Sequence, residues 1–152
     1  MRINSAGNVG IGTTSPCQEL TVNGSLSAHR ITESDSFCNV KIGNSNVLPN
    51  ITSGNYNTGI GYNVLTNTTT GSNNTANGYY SMFCNTCGSK NVAIGRGSME
   101  KNTAGSDNVA IGDLTLRGNT TGGANTAIGG GALRISLSLS LIHISEPTRQ
   151  SP

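Results

Sequence analysis

One spacing constrains this chain more than any other feature: five segments repeat every 17 residues, beginning at Asn57, Asn74, Asn91, Asn108 and Asn125. They read NTGIGYNVL, NTANGYYSM, NVAIGRGSM, NVAIGDLTL and NTAIGGGAL. A short fixed period means that each unit makes one turn of a stack and completes its core only against its neighbours. Seventeen residues suit two short strands and two turns rather than two helices. The expected fold is therefore all-β, a repetitive β-solenoid with 17-residue turns. Turns about 4.8 Å apart would make five of them a body roughly 24 Å long.

Each position within the repeat carries its own expectation. Gly54, Gly71, Gly88, Gly105 and Gly122 share one phase, and Gly61, Gly78, Gly95, Gly112 and Gly129 share another. Both phases mark places where the chain turns with positive φ or passes close to other backbone. Between them lie Thr58, Thr75, Val92, Val109 and Thr126, followed two residues later by Ile60, Asn77, Ile94, Ile111 and Ile128. That i, i+2 spacing puts both sets on one strand face, which is expected to turn inward. Gly59, Ala76, Ala93, Ala110 and Ala127 then fall on the other face. Leu65, Met82, Met99, Leu116 and Leu133 are expected to fill the interior from the opposite wall. Asn77 would bring an amide inside, satisfied by its own backbone. Such an interior is thin for 17 ordered residues per turn. Self-association of three chains around a shared axis would add burial.

Composition excludes several functions. Charged residues are 11% and aromatics 4% of the chain, and the net charge of +2 has no basic cluster behind it. Neither nucleic acid nor a membrane surface is indicated. No apolar run reaches transmembrane length, and the first residues, MRINSAGNVG, lack a signal-peptide core.

The residues that could carry chemistry do not form a constellation. Cys84 and Cys87 make a single C-x-x-C, with Cys17 and Cys38 far upstream, where zinc needs a second pair and redox use expects a βαβ setting. They are read as turn residues, with a local disulfide or zinc as alternatives. His29 stands apart from Glu19, Glu33, Asp35, Asp107 and Asp113, which gives no acid/base pair and no calcium repeat. GNVGIG at 7–12 resembles half a nucleotide loop without the βαβ unit around it. No catalytic, cofactor-binding or metal-ligating residues are assigned, and the chain is not expected to be an enzyme. Thr69, Thr86, Thr103 and Thr120 form a ladder that makes ice binding a minor alternative. Tyr62 and Tyr79 share a phase and are expected to pack rung on rung.

Two motifs carry a family resemblance. GNVGIGTTSP at 7–16, followed by Leu20, Val22 and Gly24, is similar to a module of phage tail-fibre-domain proteins. The N-[TV]-A-I-G cores at 91–95, 108–112 and 125–129 resemble the YadA-like head repeats of trimeric autotransporter adhesins, though with a longer period. The resemblance implies a homotrimeric left-handed parallel β-roll or related β-solenoid in a virion tail fibre. A head-domain fragment of a bacterial cell-surface adhesin is the alternative. It also implies a shaft or spacer role in host attachment, with a cell-surface glycan or protein receptor engaged through the intact fibre.

Three regions follow. Residues 1–36 form the tail-fibre-type β module, and residues 37–134 hold the solenoid, with a degenerate first turn at 39–54 and five units from 55. Residues 135–152 break the pattern. Within them LSLIHISEPTR, 139–149, resembles the translation of a transposase-end sequencing adapter, so this tail is read as non-native. The opening resembles an internal segment of tail-fibre proteins, which implies a metagenomic fragment with chain missing at both ends.

Overall fold

The computed structural model describes residues 2–5, 7, 9–11, 20–22, 37–135 and 143–145. The chain divides into two units, Met1–Thr32 and Glu33–Pro152. In the first, β1 (Arg2–Ile3) runs antiparallel to β2 (Val9–Ile11), and β2 runs parallel to β3 (Leu20–Val22). Gly7, at φ 84°, donates its N–H to the Asn4 carbonyl at 3.0 Å and reverses the chain between β1 and β2. Asn8 and the stretch from Gly12 to Pro16 of the GNVGIGTTSP motif lie outside the described residues, as does Gly24.

The second unit is a β-solenoid. Its strands are β4 (Val40–Gly43), β5 (Thr58–Gly61), β6 (Thr75–Asn77), β7 (Val92–Ile94), β8 (Val109–Ile111), β9 (Thr126–Ile128) and β10 (His143–Ser145). All pair in parallel, in chain order. The register from β5 onward equals the sequence period: Thr58 faces Thr75, Val92 faces Val109, and Val109 faces Thr126. The first turn keeps an offset of 18, with Val40 facing Thr58. Leu48 and Leu65 are again 17 apart, and each donates its N–H to the next turn, at Val64 and Ser81. The extra residue is therefore absorbed between Gly43 and Leu48. At the far end β10 sets His143 against Thr126, so the tail pairs in phase with the stack. An open strand edge accepts any extended segment that reaches it, because backbone pairing is blind to side-chain identity.

Each turn contains one strand of three or four residues, and the rest of the turn, among the described residues, is a chain of bends. The second strand per unit is not formed.

The larger correction concerns the strand faces. Ala76, Ala93, Ala110 and Ala127 are fully buried, whereas Ile94, Ile111 and Ile128 are 39%, 36% and 43% exposed. Ile60 is half-buried and Asn77 is exposed, so the isoleucine phase and Asn77 point outward, not inward. The opposite wall behaves as expected: Leu65, Met82, Met99 and Leu116 are fully buried, and Leu133 packs partly against them. Those long side chains pack in one buried cluster with the alanines of the strand's inner face. An isoleucine there would overfill it.

The remaining interior is polar. Asn39, Asn57, Asn74, Asn91, Asn108 and Asn125 form a buried ladder at the corner before each strand. From Asn39 to Asn108 each Oδ1 accepts the backbone N–H and the Nδ2 of the asparagine one turn on, as Asn57 does from Asn74 at 3.0 Å each. The Nδ2 also caps a glycine carbonyl, as Asn74 does at Gly88 at 2.9 Å. A second ladder runs through Asn85, Asn102 and Asn119. These amides satisfy corner carbonyls that no sheet reaches.

The two glycine phases differ in cause. Gly61, Gly78, Gly95 and Gly112 lie between φ 131° and 136°, in backbone that L-residues rarely adopt. Gly54, Gly71, Gly88 and Gly105 do not have positive φ; a Cβ there would strike the carbonyl oxygen of the glycine one turn on.

Candidate binding surfaces

The outward face of the sheet is the first candidate. Its two rows are Val40, Thr58, Thr75, Val92, Val109, Thr126 and Ile42, Ile60, Asn77, Ile94, Ile111, Ile128, brought together by the parallel register. Ile42 is 50% exposed. Apart from Thr58, Thr75, Thr126 and Asn77 the two rows are apolar, and exposed apolar patches of this kind are the surfaces on which proteins can associate.

A second candidate lies at the turn that follows the strands. Tyr62 and Tyr79 stack with ring centroids 5.5 Å apart and planes 10° apart, the rung-on-rung contact expected from their shared phase. Tyr80 lies 4.5 Å from Tyr79 and 4.7 Å from Phe83. Beside them Arg96 donates from Nε and Nη2 to the two carboxylate oxygens of Asp113, each at 2.8 Å. Arg117 grips Glu100 in the same bidentate way, at 2.7 and 3.2 Å. Hydrogen bonding to these carboxylates holds both guanidinium groups further above their already high ordinary value. Loss of water around the ring, then the neighbouring Tyr80 and Tyr62, pushes the Tyr79 hydroxyl up.

The threonine ladder is turned to internal use. Thr52, Thr69, Thr86 and Thr103 each donate the hydroxyl to the carbonyl of the threonine one turn on, between 2.9 and 3.2 Å. Cys38, Cys84 and Cys87 are free thiols. Burial, then Glu100, raises the Cys84 thiol, partly opposed by Lys101. Cys84 and Cys87 fall in the bends of one turn, as the turn reading has it. Among the described residues no three His, Cys, Asp or Glu side chains converge as metal ligands. Cys17, Glu19, His29, Glu33 and Asp35 lie outside the described residues.

Sequence reasoning singled out Tyr62 and Tyr79 but missed Tyr80, Phe83 and the two ion pairs. The signal for the pairs was present: Arg96 and Asp113, like Glu100 and Arg117, are one period apart, so opposite charges must stack. Comparison with protein-family models, with curated proteins and with solved structures finds no match to this chain.

Proposed function

We propose that residues 37–134 form a rigid structural segment of a homotrimeric fibre, a shaft or spacer in host-surface attachment by a phage tail fibre. A bacterial surface adhesin would use the same segment in the same mechanical way. The observation that carries the reading is the outward stripe of Ile42, Ile60, Ile94, Ile111 and Ile128 with Val40, Val92 and Val109 beside it. A single stack leaves this stripe in water, and three copies meeting face to face would cover it. Three is the number that the resemblance to adhesin-head repeats implies.

The mechanism is mechanical. Parallel pairing, two asparagine ladders and the threonine ladder stitch every turn to the next along one axis, so bending the stack breaks several hydrogen bonds at once. The donated threonine hydroxyls support this scaffold reading over ice binding.

Sedimentation of the 152-residue chain, with circular dichroism on the same sample, tests the proposal. A β-rich trimer is expected. A β-rich monomer at high concentration would overturn the trimeric fibre.

A further inference from the structure

The first turn of the solenoid departs from the later turns in several ways, all at one end of the stack. There β4 is the outermost strand of the sheet among the described residues. An outermost strand invites pairing by any further strand, including one from a second copy of the chain. Backbone pairing alone would not refuse that copy. Its turn must also close an interior with the turn beneath it, and the residues at this end decide whether it can.

Lys41 faces Gly59 in register and so holds the phase of Ala76, Ala93, Ala110 and Ala127. The four alanines are fully buried, whereas Lys41 is half-buried. A long cation therefore stands at the position where the later turns put a methyl group. At the end of the stack its ammonium group can reach water, and a further turn laid over it would take that water away.

The packing beneath Lys41 is also particular to this end. Gly59 has no Cβ, and one placed there would lie 2.7 Å from Val47 Cγ1. Val47 thus fills the space that an alanine methyl takes in later turns. With Leu48, Val64 and Leu65 it forms an apolar plug across the first two turns.

The extra residue of the first turn is pinned in place. In later turns the N–H groups of Tyr80, Gly97, Leu114 and Gly131 donate to backbone carbonyls of the preceding turn, at Tyr62, Tyr79, Arg96 and Asp113. The corresponding N–H, that of Asn63, donates to Asn44 Oδ1 at 3.1 Å. Asn44 Nδ2 donates in return to Asn63 Oδ1 at 3.1 Å. The bulge is held by a side-chain clasp, and a bulge at an edge turns that edge away from regular pairing.

We infer that residues 39–54 are an end cap, which keeps a second copy of the chain from stacking on the β4 edge. The cap belongs to the end of a single stack, so it holds whether or not three stacks meet at the isoleucine face.

Sedimentation and negative-stain electron microscopy of the 152-residue chain and its Lys41→Ala variant test the cap. The wild-type chain is expected to give particles of one length at every concentration. Lys41→Ala should keep the wild-type circular dichroism and join end to end, giving particles about twofold longer or more at unchanged width. Lys41→Arg, which keeps the cation, should behave like wild type. The cap is overturned if the wild-type chain itself joins end to end, or if folded Lys41→Ala stays at the wild-type length. It is equally overturned if Lys41→Arg lengthens as much as Lys41→Ala, or if Lys41→Ala loses the fold, because the lysine is then a core requirement. Sideways association changes width and not length, so the same images read out the trimer separately.

Discussion

Asn74 and Asn91 share one rung: the Asn74 Oδ1 accepts both the backbone N–H and the Nδ2 of Asn91, each at 3.1 Å. The same Nδ2 reaches the Gly105 carbonyl at 2.9 Å. The Asn91 Oδ1 in turn accepts two bonds from Asn108, at 3.0 Å each. One fully buried side chain thus joins three turns.

Asn91→Ala should be among the most damaging single changes in the stack. It takes the acceptor from the Asn108 backbone N–H in a buried corner, although Asn102 still caps the Gly105 carbonyl and the Asn108 Nδ2 keeps Gly122, and a cost of about 1–3 kcal/mol is expected. Urea unfolding measures it. A loss below about 0.5 kcal/mol would mean that water replaces the amide without penalty.

Thr68→Asn should stabilise. Thr68 holds the phase of Asn85, Asn102 and Asn119 but is buried with an unpartnered hydroxyl. An asparagine there would extend the second ladder by one rung toward Gly71. A gain of about 1 kcal/mol is expected, read as a higher urea midpoint with an unchanged slope.

The two strand faces should respond in opposite ways. Ala110→Leu pushes three carbons into a filled interior and should cost at least about 1–3 kcal/mol. Ile111→Asp, on the outward face, should leave the circular dichroism intact and abolish self-association. If Ile111→Asp unfolds the chain while Ala110→Leu is tolerated, the face assignment is reversed.

Gly95 and Gly130 make a matched pair. A Cβ at Gly95, where φ is 131°, would run into the Gly112 carbonyl oxygen, whereas at Gly130 the nearest atom is 4.0 Å away. Gly95→Ala should therefore lower the melting temperature sharply, and Gly130→Ala should leave it nearly unchanged. Equal effects would show that the turns are not stacked as described.

Lys90 is exposed at φ 57°, a left-handed conformation that Tyr56, Asn73, Asp107 and Ala124 repeat at the same place in their turns. Lys90→Gly should stabilise by up to about 1 kcal/mol, and Lys90→Val should destabilise by about 1–2 kcal/mol. Thermal melts of the two variants should move in opposite directions.

Much of this architecture was legible in the chain. The 17-residue period gave the strand positions, their parallel register from β5 onward, the glycine corners and the Leu/Met wall, because identical residues at a fixed interval can satisfy one another only by stacking. The same interval held the Arg96–Asp113 and Glu100–Arg117 pairs for anyone reading charges by phase.

What the period could not fix was direction. Alternation with a period of two says that Val92 and Ile94 share a face, and says nothing about which face is inside. That was decided in three dimensions, where Met82, Met99 and Leu116 already fill the narrow section and only an alanine fits opposite them. The left-handed backbone of fully buried Leu65, Met82, Met99 and Leu116, at φ 49° to 51°, has the same origin. No local preference of Leu or Met selects it, and the packing of the turn overrides its cost. Asparagine reads locally as a turn residue, yet here it becomes core, because a stack of identical turns gives each buried amide a partner above and below. The sequence alone determined that the chain must stack, and the tertiary structure decided which atoms the stack encloses.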